Sequence, residues 1–195
     1  MSTTETAVPT TESRRTTGIL LLVTGVLGLL ASAMLTIDKI KLLEDPNFVP
    51  GCSFDPTISC GSVMQSWQGS VFGFPNPLIG IASFSVVIVA GVLALGGVAL
   101  PRWFWAGLAI GAAAGIALVI FLIFSSLFVI HALCLWCMLV WTIMPIVLAT
   151  AVAAVLGPKA TLPVKQGLAT LVLLWYIVVI SLIVVQFWDY WSSKF

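Results

Sequence analysis

WFWAGLAIGAAAGIALVIFLIFSSLFVIHALCLWCMLVWTIMPIVLATAVAAVLGP, residues 103–158, carries no acidic or basic side chain apart from the titratable His131. As one helix these 56 residues would form a rod of about 84 Å, far longer than the roughly 30 Å of bilayer hydrocarbon. A charge at mid-bilayer costs roughly 2.5–3.5 kcal/mol on insertion scales, so a charge-free run of this length marks membrane passage. The run must therefore cross, turn and return. Its polar residues Ser125, Ser126 and His131 mark the expected turn.

The same punctuation places the other spans. Thr16 to Ile37 is charge-free and long enough for a first crossing. Pro56 to Pro101 is also charge-free, but Pro75, Asn76 and Pro77 interrupt it, so only about Leu78 to Leu100 reads as a second span. A fifth span is expected from about Gln166 to Trp188. Residues 1–17, rich in Thr, Ser, Glu and Arg, read as a disordered tail, and the first span reads as retained rather than cleaved.

The whole composition agrees. The 195 residues are 61% hydrophobic and 8% charged, with mean hydropathy +1.18, whereas soluble domains carry about 25% charged residues. A water-soluble fold is excluded. A net charge of +1 with scattered basic residues gives no basis for nucleic-acid binding. The expected class is an all-α integral membrane protein.

Orientation follows from the bias of Lys and Arg toward the cytoplasmic side. With the N-terminus inside, Arg14, Arg15, Arg102, Lys159 and Lys165 face the cytoplasm, and Lys39, Lys41 and Lys194 face out. Five spans then place loop 38–77 and the turn between spans three and four on the outer face. Cys52, Cys60, Cys134 and Cys137 all fall at that face, the oxidising one, although they played no part in assigning the spans.

Cys134-Leu135-Trp136-Cys137 stands at the outer start of span four. Free backbone N–H groups and the helix dipole favour a thiolate there, and i, i+3 spacing puts both sulfurs on one face. A disulfide this short adds little chain-entropy stability, so redox work explains the pair better than stapling. Cys52 and Cys60 lie among Pro50, Gly51, Pro56 and Gly61, in a loop able to meet a soluble partner. Two plainer readings stand beside this one: a loop-closing disulfide, or four thiols holding Zn²⁺.

The ordered motifs Cys52-x7-Cys60-Gly61-Ser62-Val63, Phe72-Gly73-Phe74-Pro75-Asn76-Pro77-Leu78-Ile79-Gly80 and Cys134-Leu135-Trp136-Cys137 resemble the vitamin K epoxide reductase family over about residues 18–155, most closely its bacterial members. The resemblance implies a four-helix catalytic bundle (18–155) around a quinone, capped by an extracytoplasmic loop (38–77) with a short helix. Residues 156–195 then form a cytoplasmic connector and a fifth transmembrane helix. It implies that Cys52 and Cys60 shuttle electrons, that Cys60 passes them to Cys134, and that Cys137 faces the quinone, menaquinone or ubiquinone.

By the same resemblance Asn76 is expected to hydrogen-bond a quinone carbonyl, with Ser66, Phe72, Gly80 and Trp141 nearby. Phe74 and Trp67 are further candidate wall residues. Trp141 stands where vertebrate members carry tyrosine; an indole N–H donates but cannot accept, which weighs against epoxide chemistry more than against quinone reduction. The implied function is a thiol–quinone oxidoreductase of the cell membrane that oxidises a thioredoxin-fold, DsbA-like partner. Such a domain does not follow span five, so the resemblance makes the partner a separate chain. Competing readings are vitamin K-type recycling of a quinone or its epoxide, and a structural or metal-binding membrane protein. His131 is either a proton donor beside the cysteines or an interfacial anchor.

Overall fold

In the computed structural model, residues 11–193 are described. Helix α1 runs Thr11–Glu44, α2 Cys60–Gln65, α3 Pro77–Leu95, α4 Arg102–Phe124, α5 Leu135–Leu156, α6 Leu162–Gln186 and α7 Trp188–Ser192. Short 3-10 turns cover Trp67–Ser70 and Gly157–Lys159. Five of these helices (α1, α3, α4, α5 and α6) are long and apolar enough to cross a membrane, and no β-strand occurs among the described residues. The protein is a multi-pass, all-helical membrane protein.

Three boundaries differ from expectation. α1 begins at Thr11, so residues 11–17, expected in the disordered tail, are helical; residues 1–10 lie outside the described set, as does Lys194. At its other end α1 continues past Ile37 to Glu44, because its outer turns have something to hold. Leu35 and Leu42 are buried against the cysteine loop, and Lys39 Nζ donates to the carbonyl of Met64 at 2.6 Å. Charges that would stop a span in lipid are tolerable where protein covers the helix. The third difference is α3, which ends at Leu95 rather than near Leu100. Gly97, at φ +75°, closes it, with Val98 N–H reaching back to the carbonyl of Leu93 at 3.0 Å and Gly97 N–H to Ala94 at 3.2 Å.

α1 and α3 pack at close range because small residues remove the side chains between them. A Cβ on Gly91 would lie 2.7 Å from the backbone nitrogen of Leu22, and one on Gly80 would collide with the Ser32 hydroxyl. In lipid, where no hydrophobic force joins helices, such contact is the main source of association.

The α4–α5 reversal falls at the polar residues expected to make it. α4 loosens into a π-helical stretch, Ser125–Ile130, and His131 takes the left-handed conformation at φ 55°. Ser126 is buried; its hydroxyl donates to the carbonyl of Ala132, and its own carbonyl accepts from Ala132 N–H at 3.2 Å. The turn thus satisfies its backbone internally, as a reversal near lipid must.

α6 leans on α5 at a defect in α5. Pro145 has no N–H to offer the carbonyl of Trp141, four residues back. The Trp175 indole of α6 donates to that carbonyl at 3.1 Å, and Tyr176 Oη donates to the carbonyl of Thr142 at 2.8 Å.

Candidate active site

The four cysteines come together through a small piece of backbone pairing. Asp55 turns the loop, its Oδ1 accepting from Thr57 N–H at 2.9 Å and Ile58 N–H at 2.8 Å. Ile58 then pairs in parallel with Leu133: Leu133 N–H donates to Thr57 O at 2.7 Å and Ser59 N–H to Leu133 O at 2.9 Å. Ser59 caps α2, its hydroxyl accepting from Ser62 N–H at 3.2 Å. Cys60 follows the bridge by two residues on one side, and Cys134 follows it directly on the other. Both are fully buried, in one apolar cluster with Cys52, Leu35, Val63 and Met64.

Cys52 and Cys60 are joined as a disulfide, while Cys134 and Cys137 are free thiols. Cys134 caps α5, and its sulfur accepts from Cys137 N–H at 3.4 Å. The two sulfurs lie 2.8 Å apart, with Cys137 Sγ as donor. Cys134, just ahead of the span, is held below the ordinary thiol pKa, first by that Cys137 thiol; burial opposes the shift, the N–H groups of Cys137 and Trp136 reinforce it, and the charge of Asp38 opposes it.

Cys137 also faces inward, onto a cavity of about 460 Å³ between α1, α3, α4 and α5. Its wall is mostly apolar; Cys137, Asn76, Gly80 and Trp141 all line it. Asn76 is already half committed. Its Oδ1 accepts from Val71 N–H at 3.1 Å and its Nδ2 donates to Gln68 O at 2.7 Å, clamping the turn that leads into α3. One amide hydrogen is left for another partner. Gly80 lets Ser32 of α1 approach. Trp141 is 3% exposed, and no described group accepts from its indole N–H.

Other expected residues lie elsewhere. Ser66 is the C-cap of α2, its hydroxyl donating to Val63 O at 2.7 Å; it does not line the cavity. Phe72 is exposed, stacked on Phe74 with centroids 6.2 Å apart. Trp67 is 68% exposed and leans on Phe121. His131 meets Gln186 of α6 at 3.5 Å and is no part of the cysteine cluster. Among the described residues, no three His, Cys, Asp or Glu side chains group as metal ligands would.

Two contributors were not read from the sequence. Gly107 and Gly111 line the cavity, and a Cβ on either would meet nothing within 4 Å; these glycines create the space rather than allow close packing. Their i, i+4 spacing was the available signal. The second is Tyr190 of α7, whose hydroxyl donates to Asp55 Oδ2 at 2.7 Å. That bond, first among the causes, raises the phenol above its ordinary pKa, so it stays a donor. The segment after the fifth span thereby reaches the loop that carries Cys60.

No curated protein matches the chain. The model of the vitamin K epoxide reductase family matches residues 19–152, a stretch that holds all four cysteines and every residue lining the cavity beside Cys137. The chain belongs to the vitamin K epoxide reductase family, a family of membrane thiol oxidoreductases that work with quinones.

Proposed function

We propose that this protein is a thiol–quinone oxidoreductase that makes disulfides for a thioredoxin-fold, DsbA-like partner outside the cytoplasm and reduces a membrane quinone. The observation that carries the reading is the chain of sulfurs: a disulfide in the loop, Cys60 tied beside Cys134 by the Ile58–Leu133 bridge, and Cys137 on the cavity wall. The catalytic unit is residues 18–155, with the N-terminus and the connector before α6 in the cytoplasm.

The electrons balance over four steps. The partner's dithiol reduces Cys52–Cys60 by exchange and leaves oxidised. The Cys60 thiolate attacks Cys134 of an oxidised Cys134–Cys137 pair, forming Cys60–Cys134 and releasing the Cys137 thiolate. Cys52 attacks Cys60, restoring the loop disulfide and freeing Cys134 as a thiolate, the form its lowered pKa favours. The Cys134–Cys137 pair then gives two electrons to the quinone, which takes up two protons and leaves as quinol.

The cavity supports this last step. It is apolar enough for a lipid-soluble ring, and Asn76 Nδ2 and the Trp141 indole both have a hydrogen to offer carbonyl oxygens. Two donors suit the two carbonyl oxygens of a quinone, menaquinone or ubiquinone.

The test is turnover in detergent with a reduced thioredoxin-fold protein and each quinone. Partner oxidation that requires quinone and vanishes in Cys137→Ala is the expected result; no oxidation with either quinone in the wild type would end the proposal.

A further inference from the structure

A second cavity, larger than the one at the cysteines, measures about 1120 Å³ and lies at the other end of the bundle, where α6 stands away from α1 and α4. α6 is joined to α5 by Trp175 and Tyr176, in the half nearer the cysteines. Toward its N-terminus the cleft between α5 and α6 widens, and Ala149, Ala153 and Ala169 leave it lined by short side chains.

Four cations from four separate segments converge on the rim: Arg14 of α1, Arg102 at the first position of α4, Lys159 of the 3-10 turn, and Lys165 of α6. Among the described side chains no carboxylate lines it: Asp38, Glu44, Asp45, Asp55 and Asp189 belong to the far end of α1, the cysteine loop and α7. Among the described residues these cations form no ion pair; Arg14 reaches only the carbonyl of Gly97, at 3.5 Å. The helix N-termini of α4 and α6 also open here, and neither has a side-chain cap, so their amide dipoles add positive potential.

The tendency of basic residues to stay in the cytoplasm accounts for their being at this end of the protein. It does not account for four of them rimming one cleft whose wall is apolar down into the membrane. A positive rim over an apolar cleft matches a ligand with an anionic head and hydrocarbon tails.

We infer that this cleft binds an anionic glycerophospholipid, with its phosphodiester among Arg14, Arg102, Lys159 and Lys165 and its acyl chains between α5 and α6. The lipid fills the space that α6 leaves open and fastens the inner end of the fifth helix to the bundle. The inference is independent of the redox reading, since none of the four cations lines the smaller cavity or belongs to the cysteine cluster.

The experiment uses the full-length protein in neutral detergent, titrated with phosphatidylglycerol, phosphatidylcholine or inorganic phosphate. Binding is read by native mass spectrometry and by the shift in Tm. Phosphatidylglycerol should bind and raise Tm, phosphatidylcholine much less, and inorganic phosphate not at all. Arg102→Gln with Lys159→Gln should weaken phosphatidylglycerol binding by about tenfold or more, while Arg102→Lys with Lys159→Arg should retain it. Quinone-dependent turnover of the Gln pair in excess lipid should match wild type.

Equal binding of the two lipids by the wild type would overturn the inference, and that comparison stands even if the Gln pair does not fold. A Tm rise reproduced by inorganic phosphate would also overturn it, by assigning the rim to a free anion. So would a folded Gln pair that keeps full preference for phosphatidylglycerol.

Discussion

The two cysteine pairs lie side by side, buried except for a half-buried Cys137, yet they are held in place by different means. Cys134 and Cys137 stand three residues apart, at the N-cap and in the first turn of α5, positioned by the helix itself. Cys52 and Cys60 are eight residues apart in a loop, and what keeps them in place comes from elsewhere: Lys39 of α1, the bridge to Leu133 and Tyr190 of α7. One pair is rigid by local structure. The other is docked by a few contacts that can be undone and remade, which suits a pair that must meet two partners in turn.

The largest expected effect separates the pairs by electron source. Cys52→Ala should abolish oxidation of the thioredoxin-fold partner but keep quinone reduction by a small dithiol such as dithiothreitol, which can reach the helix pair once the loop is no longer closed by its disulfide. Cys137→Ala should abolish both. Equal loss of both activities in the two variants would remove the distinction between docked and fixed pairs.

Next in size is a change confined to the helix side. Gly111→Leu places a side chain in open cavity space and should raise KM for quinone by at least about tenfold, with the rate of partner exchange at the loop unchanged. An unchanged KM would mean that the quinone sits elsewhere.

The helix pair should also carry its own pH signature. Cys134 is held below the ordinary thiol pKa first by the Cys137 thiol, so its thiolate forms at lower pH than a free thiol's. Reaction of Cys134 with a methanethiosulfonate, followed by mass spectrometry in Cys60→Ala protein, should reach its plateau below the ordinary pKa. Removing the donor in Cys60→Ala, Cys137→Ala protein should move that plateau to higher pH. A plateau that stays put would show that the helix N-terminus alone sets the acidity.

The smallest effect tests the docking of the loop. Tyr190→Phe removes one hydrogen bond to Asp55 while leaving the carboxylate its two backbone partners. Amide exchange at residues 55–60 should quicken by a few-fold, with the helix pair unaffected. If exchange is unchanged, the loop is held from α1 and Leu133 alone.

What the sequence disclosed was local in origin. A charge or its absence marks a span wherever the chain later packs, so five crossings and the turn at Ser125, Ser126 and His131 could be read directly. The cysteines could be brought to one end by counting crossings. The length of α1 could not, because its outer turns depend on the loop that covers Leu35 and Leu42. Ser66 and Phe72 were placed near a quinone by resemblance, but neither lines the cavity, although Gly69 between them does. Gly107 and Gly111 have a legible spacing, but spacing alone does not tell a glycine that admits a neighbouring helix from one that leaves a void. Tyr190 lies 135 residues from Asp55, and no local pattern links them.

Pro145 has a consequence for biogenesis. A chain leaving the insertion machinery completes α5 before α6 exists, and at that stage the Trp141 carbonyl has no helical N–H to receive. The fifth helix supplies the missing donor through Trp175, on the outer side of a residue whose ring walls the cavity. The segment inserted after α5 thus works as a latch, and the wall beside Cys137 acquires this hydrogen bond only when α6 has arrived.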